Sequence, residues 1–169
     1  IWEGGMSFHG GLVGVIVSTF IFSRKNNLST FLYLDCISVV APIGIFFGRI
    51  ANFLNSELYG KETAVPWGII FQKVDNIQRH PSQIYEAFLE GLLLFVILSI
   101  LAKKNFLNKN GFLSSIFLIL YSVFRFITEF FREPDIQLGY LFLNFSMGQI
   151  LTIFLFFLVI IIFLKNENK

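Results

Sequence analysis

The chain has 169 residues, of which 55% are hydrophobic and only 14% are charged, and its mean hydropathy is +0.71. Soluble domains carry about 25% charged residues, so this composition excludes a soluble fold. The net charge of +2 and the scattered basic residues give no reason to expect a nucleic-acid partner. A single cysteine, Cys36, and two histidines supply no zinc or iron–sulfur ligand set, so we expect neither a metal nor a cofactor.

Apolar blocks follow one another along the chain, and each is close to the roughly 20 residues that cross a bilayer as a helix. They cover residues 7–22, 31–53, 84–102, 112–131 and 146–164. The sequence therefore predicts an all-α polytopic membrane protein with about five transmembrane helices in one integral membrane domain, residues 1–169. Because the chain starts at Ile1 without the features of a signal peptide, we interpret it as a fragment that lacks an N-terminal part.

Basic residues are unevenly divided between the two sets of connections. The segments 23–30, 103–111 and 165–169 hold seven Lys and Arg, whereas 54–83 and 132–145 hold four. Short loops rich in Lys and Arg stay in the cytoplasm. The C-terminus is therefore predicted to be cytoplasmic, and the 54–83 loop is predicted to face outward.

Two arginines, Arg49 and Arg125, lie within apolar blocks. A charge in the middle of a spanning helix costs roughly 2.5 to 3.5 kcal/mol, so it is usually paired and functional. Helical spacing places Tyr121, Arg125 and Glu129 on one stripe, one turn apart. One interpretation is an internal Arg125–Glu129 ion pair that fixes helix packing, with Arg49 extending to the lipid headgroups.

A second stripe makes a binding site the favoured interpretation. Arg49 and Asn52 share a helix face, and Glu57 joins them if the helix continues. Both stripes end near the outer leaflet in the predicted orientation, and guanidinium groups match phosphate oxygens. The two arginines together predict a site for the anionic headgroup of a lipid.

Other polar residues are open to two interpretations. His9, between glycines, is either a proton acceptor or a hydrogen-bonded packing residue. Glu86 and Glu90 share a helix face and are either paired or in contact with a watery cavity. His80 is expected just ahead of a helix capped by Ser82, and Asp35 is expected at the membrane interface.

Separated motifs along the chain resemble those of the prolipoprotein diacylglyceryl transferase family, in the same order. The motifs are Gly4-Gly5-Met6-Ser7-Phe8-His9-Gly10-Gly11, Gly48-Arg49-Ile50-Ala51-Asn52-Phe53-Leu54-Asn55 with Glu57-Leu58-Tyr59-Gly60, Arg79-His80-Pro81-Ser82-Gln83-Ile84-Tyr85-Glu86, Phe124-Arg125-Phe126 with Glu129-Phe130-Phe131-Arg132-Glu133-Pro134-Asp135, and Ser146-Met147-Gly148-Gln149-Ile150-Leu151. One departure is Ser56, where the family usually has glycine.

The resemblance implies a seven-span fold, so the chain would lack about two spans. It implies transfer of the diacylglyceryl group from phosphatidylglycerol to the lipobox cysteine thiol of a prolipoprotein at the bacterial inner membrane. The products are a thioether and glycerol phosphate. The functional residues that it implies are His9, Arg49, Asn52, Glu57, Gly60, Tyr121, Arg125 and Glu129, with Arg49 in contact with phosphatidylglycerol.

Roles within that reaction follow from the chemistry. Arg49 and Arg125 are expected to stabilise charge that grows on the phosphate. His9 is the hypothesised base for the thiol, and Glu57 or Glu129 is expected to orient the arginines. The alternatives are a transporter or channel subunit for an anion or protons, and a non-catalytic packing subunit.

Overall fold

The computed structural model describes the backbone of residues 8–104, 110–134 and 147–167, and the side chains of residues 10–11, 13–104, 110–134, 148–157 and 159. The described helices correspond to the predicted apolar blocks. They are α1 (Phe8–Lys25), α2 (Thr30–Asn55), α3 (Ser82–Lys103), α4 (Phe112–Thr128) and α5 (Met147–Glu167). The prediction of a helical protein is therefore confirmed.

Length and composition identify the helices that suit a membrane. Within the part of the chain that the structure describes, α2 and α3 are both long and apolar enough to cross a bilayer. Helix α4 is apolar but shorter, and it ends at Thr128 rather than at residue 131, the predicted end of its block. These are the features of a helical membrane protein.

Helix α3 changes its winding part of the way along. Ser82–Glu86 and Leu94–Lys103 are α-helical, whereas Ala87–Leu93 forms a π-helix. Gly91 in the π-helical part faces α2 so closely that an added Cβ would lie 2.7 Å from the Cβ of Phe46. The absence of a side chain at Gly91 thus lets α2 and α3 approach each other.

The core lies between α3 and α4. Leu94, Leu98, Leu113, Phe117 and Tyr121 form its buried cluster, and α2 packs against the same cluster through partly buried side chains. Lipid tails are as apolar as these side chains, so close van der Waals packing holds the three helices together within a bilayer. The three helices alternate in direction, so the end of α2, the start of α3 and the end of α4 meet at one end of the bundle.

Asp35, expected from the sequence at the membrane interface, lies near the start of α2. It is fully buried on α2, and its carboxylate accepts hydrogen bonds from the backbone N–H groups of Gly111, at 2.7 Å, and Ser114, at 2.8 Å. These N–H groups lie at the start of α4, where backbone N–H groups have no acceptor within the helix. Asp35 therefore caps α4 from a neighbouring helix, because a carboxylate suits the positive end of a helix dipole.

The segment between α2 and α3 is more ordered than a simple loop. Strands β1 (Ile69–Ile70) and β2 (Gln78–Arg79) pair antiparallel, an element not predicted from the sequence. Ser82 begins α3 but does not cap it, contrary to the prediction. Its hydroxyl instead donates to the carbonyl of Leu58, at 3.1 Å, and so fixes the segment to the helix.

Candidate functional site

A cluster of charged side chains lies where α2, α3 and α4 meet, and we call it the ionic cluster. It contains three arginines and three glutamates from the ends of these helices and the residues that follow α4. Its members are Arg49, Glu86, Glu90, Arg125, Glu129 and Arg132. The Glu86 and Glu90 side chains have no exposed surface, and the exposure of the Arg49 and Arg125 side chains is 15% and 11%.

Glu86 and Glu90 join the two arginines that the sequence singled out. Arg49 Nε lies 3.0 Å from Glu86 Oε2, and Arg49 Nη2 donates to Glu90 Oε2 at 3.2 Å. Arg125 Nη1 donates to Glu86 Oε1 at 2.5 Å and lies 3.7 Å from Glu90 Oε1. The two carboxylates are therefore paired, which was one of the two interpretations of their spacing.

Further contacts extend the ionic cluster on α4. Arg125 Nη2 lies 2.6 Å from Glu129 Oε2, so the ion pair predicted along this stripe is present. The Thr128 hydroxyl donates to Glu90 Oε1 at 3.1 Å. A Cβ on Gly148 would lie 3.0 Å from Glu129 Oε1, so the glycine lets α5 pack directly against this carboxylate.

The ionic cluster carries as many guanidiniums as carboxylates, so its described charges cancel. Buried charges are tolerated when they are paired and hydrogen-bonded, as they are here. An anion with several oxygens can accept hydrogen bonds from the same N–H groups that donate to the glutamates. The arrangement thus supplies two guanidiniums, from facing helices, to one anion at the end of the bundle.

A second polar group lies next to the ionic cluster at the end of α2. Asn52 Nδ2 donates to Glu57 Oε2 at 3.1 Å, although the helix does not continue to Glu57 as the stripe required. Ser56 ends the helix in the left-handed conformation, with φ of 61°. Only glycine adopts this conformation without a steric cost, which explains why glycine is usual in the resembling family.

The remaining predicted residues lie elsewhere or outside the described part. Tyr121 is buried in the core and stacks on Phe117, within electrostatic reach of Arg49 and Arg125. Gly60 lies in the segment before α3, where an added Cβ would be 2.7 Å from the Phe131 carbonyl oxygen. Gly60 therefore allows the backbone of this segment to pack closely against Phe131. The side chain of His9 lies outside the described residues.

An apolar cavity of about 570 Å³ opens beside the ionic cluster. It is lined by Trp67, His80, Ile84, Tyr85, Phe88, Leu89, Ile127, Thr128 and Phe131. At one side the indole N–H of Trp67 donates to the Tyr85 hydroxyl at 2.8 Å, and His80 Nδ1 lies 3.2 Å from the same hydroxyl. Thr128 borders both the cavity and Glu90, so apolar and charged surfaces adjoin.

A second charged group, which we call the loop network, joins the segment before α3 to the residues after α4. Arg79 Nη2 donates to Asp75 Oδ2 at 2.7 Å, and Arg79 Nη1 lies 3.5 Å from Glu133 Oε2. The guanidinium also covers the Tyr59 ring, 4.9 Å from its centre. Hydrogen bonds from Arg79 lower the pKa of the Asp75 carboxyl, and those to Asp75 raise the pKa of Arg79.

Sequence reasoning brought Arg49, Arg125 and Glu129 to one site but gave no role there to Glu86, Glu90 or Arg132. The signal for the glutamates was present, because two carboxylates four residues apart in an apolar helix require partners. Arg132 gave no such signal, since it follows a helix end and was counted as a loop residue. Its Nη1 lies 3.7 Å from Glu86 Oε1, and it is buried.

The chain matches the family model for prolipoprotein diacylglyceryl transferase over residues 1–165. It is 52% identical to the phosphatidylglycerol–prolipoprotein diacylglyceryl transferase of Rickettsia bellii (strain OSU 85-389), with 99% of this chain and 64% of the relative covered. The protein of that name from the Wolbachia of Brugia malayi is 51% identical, with 99% and 65% covered. The one from Campylobacter lari is 47% identical, with 98% and 60% covered.

The chain thus spans about two thirds, in the first case 64%, of the length of the curated relatives that it matches. The family match extends over nearly every residue of the chain, including all of α2, α3 and α4, which carry the ionic cluster. This chain therefore belongs to the prolipoprotein diacylglyceryl transferase family.

Proposed function

We propose that this chain is a membrane-embedded part of an enzyme that moves the diacylglyceryl group of phosphatidylglycerol to the thiol of a prolipoprotein's lipobox cysteine. Support comes from membership of the family and from relatives whose names state this activity. The structural observation that most directly supports the proposal is the ionic cluster, in which two arginines from facing helices share the same pair of buried glutamates.

In this proposal the chain forms one integral domain of the bacterial inner membrane, with five spans here and seven in the family fold. The distribution of Lys and Arg supports a cytoplasmic C-terminus. The 54–83 segment and the ionic cluster then lie on the outward side. A charged cluster beside an apolar cavity suits a lipid, which has a charged headgroup and apolar chains.

Arg49 and Arg125 hold the phosphate of phosphatidylglycerol. Its oxygens accept hydrogen bonds from the guanidinium N–H groups that donate to Glu86 and Glu90 in the structure. When the bond between the glyceryl carbon and the phosphate oxygen breaks, the electron pair stays on the phosphate and its negative charge grows. The guanidiniums of the two facing helices are in place before this charge grows, so they stabilise it as it develops.

The sulfur of the substrate cysteine attacks the same glyceryl carbon and forms the thioether. A thiol has a reference pKa of about 8.5, so a base must take its proton. His9 is that base in the proposal, and Glu129, Tyr121, Asn52 and Glu57 position the arginines and the headgroup. Gly60 supports the site by close packing of the segment before α3.

The test is transfer from phosphatidylglycerol to a lipobox peptide by the full-length protein in detergent. We expect wild type to form product, and Arg125→Ala to lose at least about 100-fold in rate, as removal of a charge-stabilising donor does. Arg24→Ala is the matched control, because Arg24 is an exposed arginine on α1, outside the ionic cluster.

Folding is checked separately by the thermal unfolding midpoint in detergent. If Arg125→Ala does not fold, Arg125→Lys keeps the charge but removes the forked geometry, and we expect it also to lose rate. No product from folded wild type would overturn the proposal and favour an anion or proton transporter.

A further inference from the structure

Gln83, in the first turn of α3, is fully buried and yet has an unused acceptor. Its Nε2 donates to the backbone carbonyl of Glu57 at 2.6 Å. Its Oε1 has no hydrogen-bond partner among the residues that the structure describes. A backbone carbonyl can only accept, so the atom of Gln83 that contacts Glu57 must be the nitrogen Nε2 and the other must be the oxygen Oε1. Buried polar atoms are nearly always satisfied, so this oxygen calls for a donor that binds there.

The position of Gln83 relates it to the ionic cluster. On α3, Gln83 precedes Glu86 and Glu90 by about one and two turns, on the same face. On α2, Arg49 pairs with those glutamates, and Asn52 follows Arg49 by about one turn toward the helix end. The two helices therefore carry a charged layer and, about one turn nearer the end of the bundle, a neutral amide layer.

The amide layer consists of Gln83 and Asn52 and is bordered by Glu57. Glu57 connects the two amides, since its backbone carbonyl accepts from Gln83 and its carboxylate accepts from Asn52. The layer offers an acceptor, Gln83 Oε1, and the second N–H of Asn52 Nδ2, since the first donates to Glu57. A hydroxyl both donates and accepts, so it matches this mixture, whereas an ammonium only donates and a phosphate monoanion mainly accepts.

We propose that Gln83 selects the headgroup of the donor lipid. Its Oε1 accepts a hydrogen bond from a hydroxyl of the glycerol that is esterified to the phosphate, while the phosphate occupies the charged layer. This inference rests on the proposed function, because it takes phosphatidylglycerol as the donor. It assigns the amide layer to the part of the lipid that leaves with the phosphate.

The experiment compares lipid donors that differ only in headgroup hydroxyls. Phosphatidylglycerol is compared with a phosphatidylpropanol of the same acyl chains, which has the same phosphate charge but no headgroup hydroxyl. Transfer to a lipobox peptide by the full-length protein gives kcat/KM for each lipid. We expect wild type to prefer phosphatidylglycerol by roughly 10- to 100-fold, the range of one or two buried hydrogen bonds.

Gln83→Met keeps the length of the side chain and removes its amide. We expect the preference to fall to within about threefold, because the hydroxyl contact is lost for phosphatidylglycerol alone, whereas loss of the hydrogen bond to the Glu57 carbonyl affects both lipids equally. Gln72→Met is the matched control, since Gln72 is an exposed glutamine of the segment before α3. This control should keep the wild-type preference.

Several results would overturn the inference. Equal rates of wild type on both lipids would do so without any variant, and so would an equal loss on both lipids in a Gln83→Met protein of normal melting temperature. A preference of wild type for phosphatidylethanolamine over phosphatidylglycerol would show that the amide layer binds an ammonium group and not a hydroxyl. In the first two cases the proposed function stands, and in the third the transfer stands with a different donor lipid, whereas transfer from none of the lipids would remove both the inference and the proposed function.

Discussion

The ionic cluster and the loop network are both built from arginines and carboxylates at the same end of the molecule, but they differ in burial. Glu86 and Glu90 have no exposed surface, whereas Asp75 and Glu133 in the loop network are 27% and 43% exposed. Water can replace a lost partner in the loop network but not in the ionic cluster. The comparison shows that breaking an arginine–carboxylate pair costs more free energy of unfolding when the pair is buried than when water reaches it.

The largest expected effect comes from removing a carboxylate of the ionic cluster. Glu86→Ala removes one of the two buried carboxylates that Arg49 and Arg125 share, and we expect a loss of about 3 to 5 kcal/mol in the free energy of unfolding, as for broken buried pairs. Glu133→Ala in the loop network is the matched control, with an expected loss of less than about 1 kcal/mol. Denaturant unfolding in detergent measures both, and equal losses would contradict the distinction.

A smaller effect is expected from separating the helices that form the ionic cluster. In Gly91→Ala the new Cβ meets Phe46 at 2.7 Å, so α2 and α3 must move apart, and we expect a loss of about 1 to 3 kcal/mol. In Gly44→Ala the new Cβ meets nothing within 4 Å, so this variant should be neutral or slightly stabilised. A Gly91→Ala protein as stable as Gly44→Ala would show that the cluster tolerates a wider spacing.

The smallest expected effect is a response of the loop network to acid. Arg79 lowers the pKa of Asp75, so this pair stabilises the folded loop above the ordinary value of 3.8. That contribution is lost as the pH falls through the lowered pKa, because protonated Asp75 no longer pairs with Arg79. We expect the protection of the amides in residues 59–79, measured as exchange relative to the unstructured rate at each pH, to fall below about pH 4, and less so in Asp75→Asn, which has already lost the pair. Identical pH profiles in the two proteins would exclude Asp75 as the cause.

The helices were predictable because their lengths and hydropathy follow from the bilayer, which imposes the same requirement on every span. The site was predictable where the cost of a buried charge made single residues conspicuous, as for Arg49 and Arg125. Spacing along one helix also predicted the Arg125–Glu129 pair, since residues four apart lie on one face. These inferences depend on local geometry or on the solvent, and not on how the helices meet.

The partners across helices could not be predicted in this way. Which arginine faces Glu86 depends on the approach of α2 to α3, and that approach depends on Gly91. The buried cap that Asp35 supplies to α4 joins residues 76 positions apart in the chain. The strands at Ile69–Ile70 and Gln78–Arg79 are too short for their alternation of side chains to be recognised. Each of these features arises from tertiary contacts, which the spacing of apolar and polar residues along the sequence does not reveal.

The π-helical winding of Ala87–Leu93 sets the phase between the two halves of α3. A π-helical turn holds a residue more than an α-helical turn, and one residue corresponds to a rotation of about 100° around the axis. If the same seven residues were wound as a regular α-helix, with Leu94 and Leu98 kept in the core, the half that carries Gln83 and Glu86 would turn by roughly a third of a turn and away from Arg49. The winding of this short stretch therefore decides which face of the first half of α3 meets α2, and a change that converts it to α-helix at constant length should disrupt the ionic cluster more than a change that leaves the winding intact.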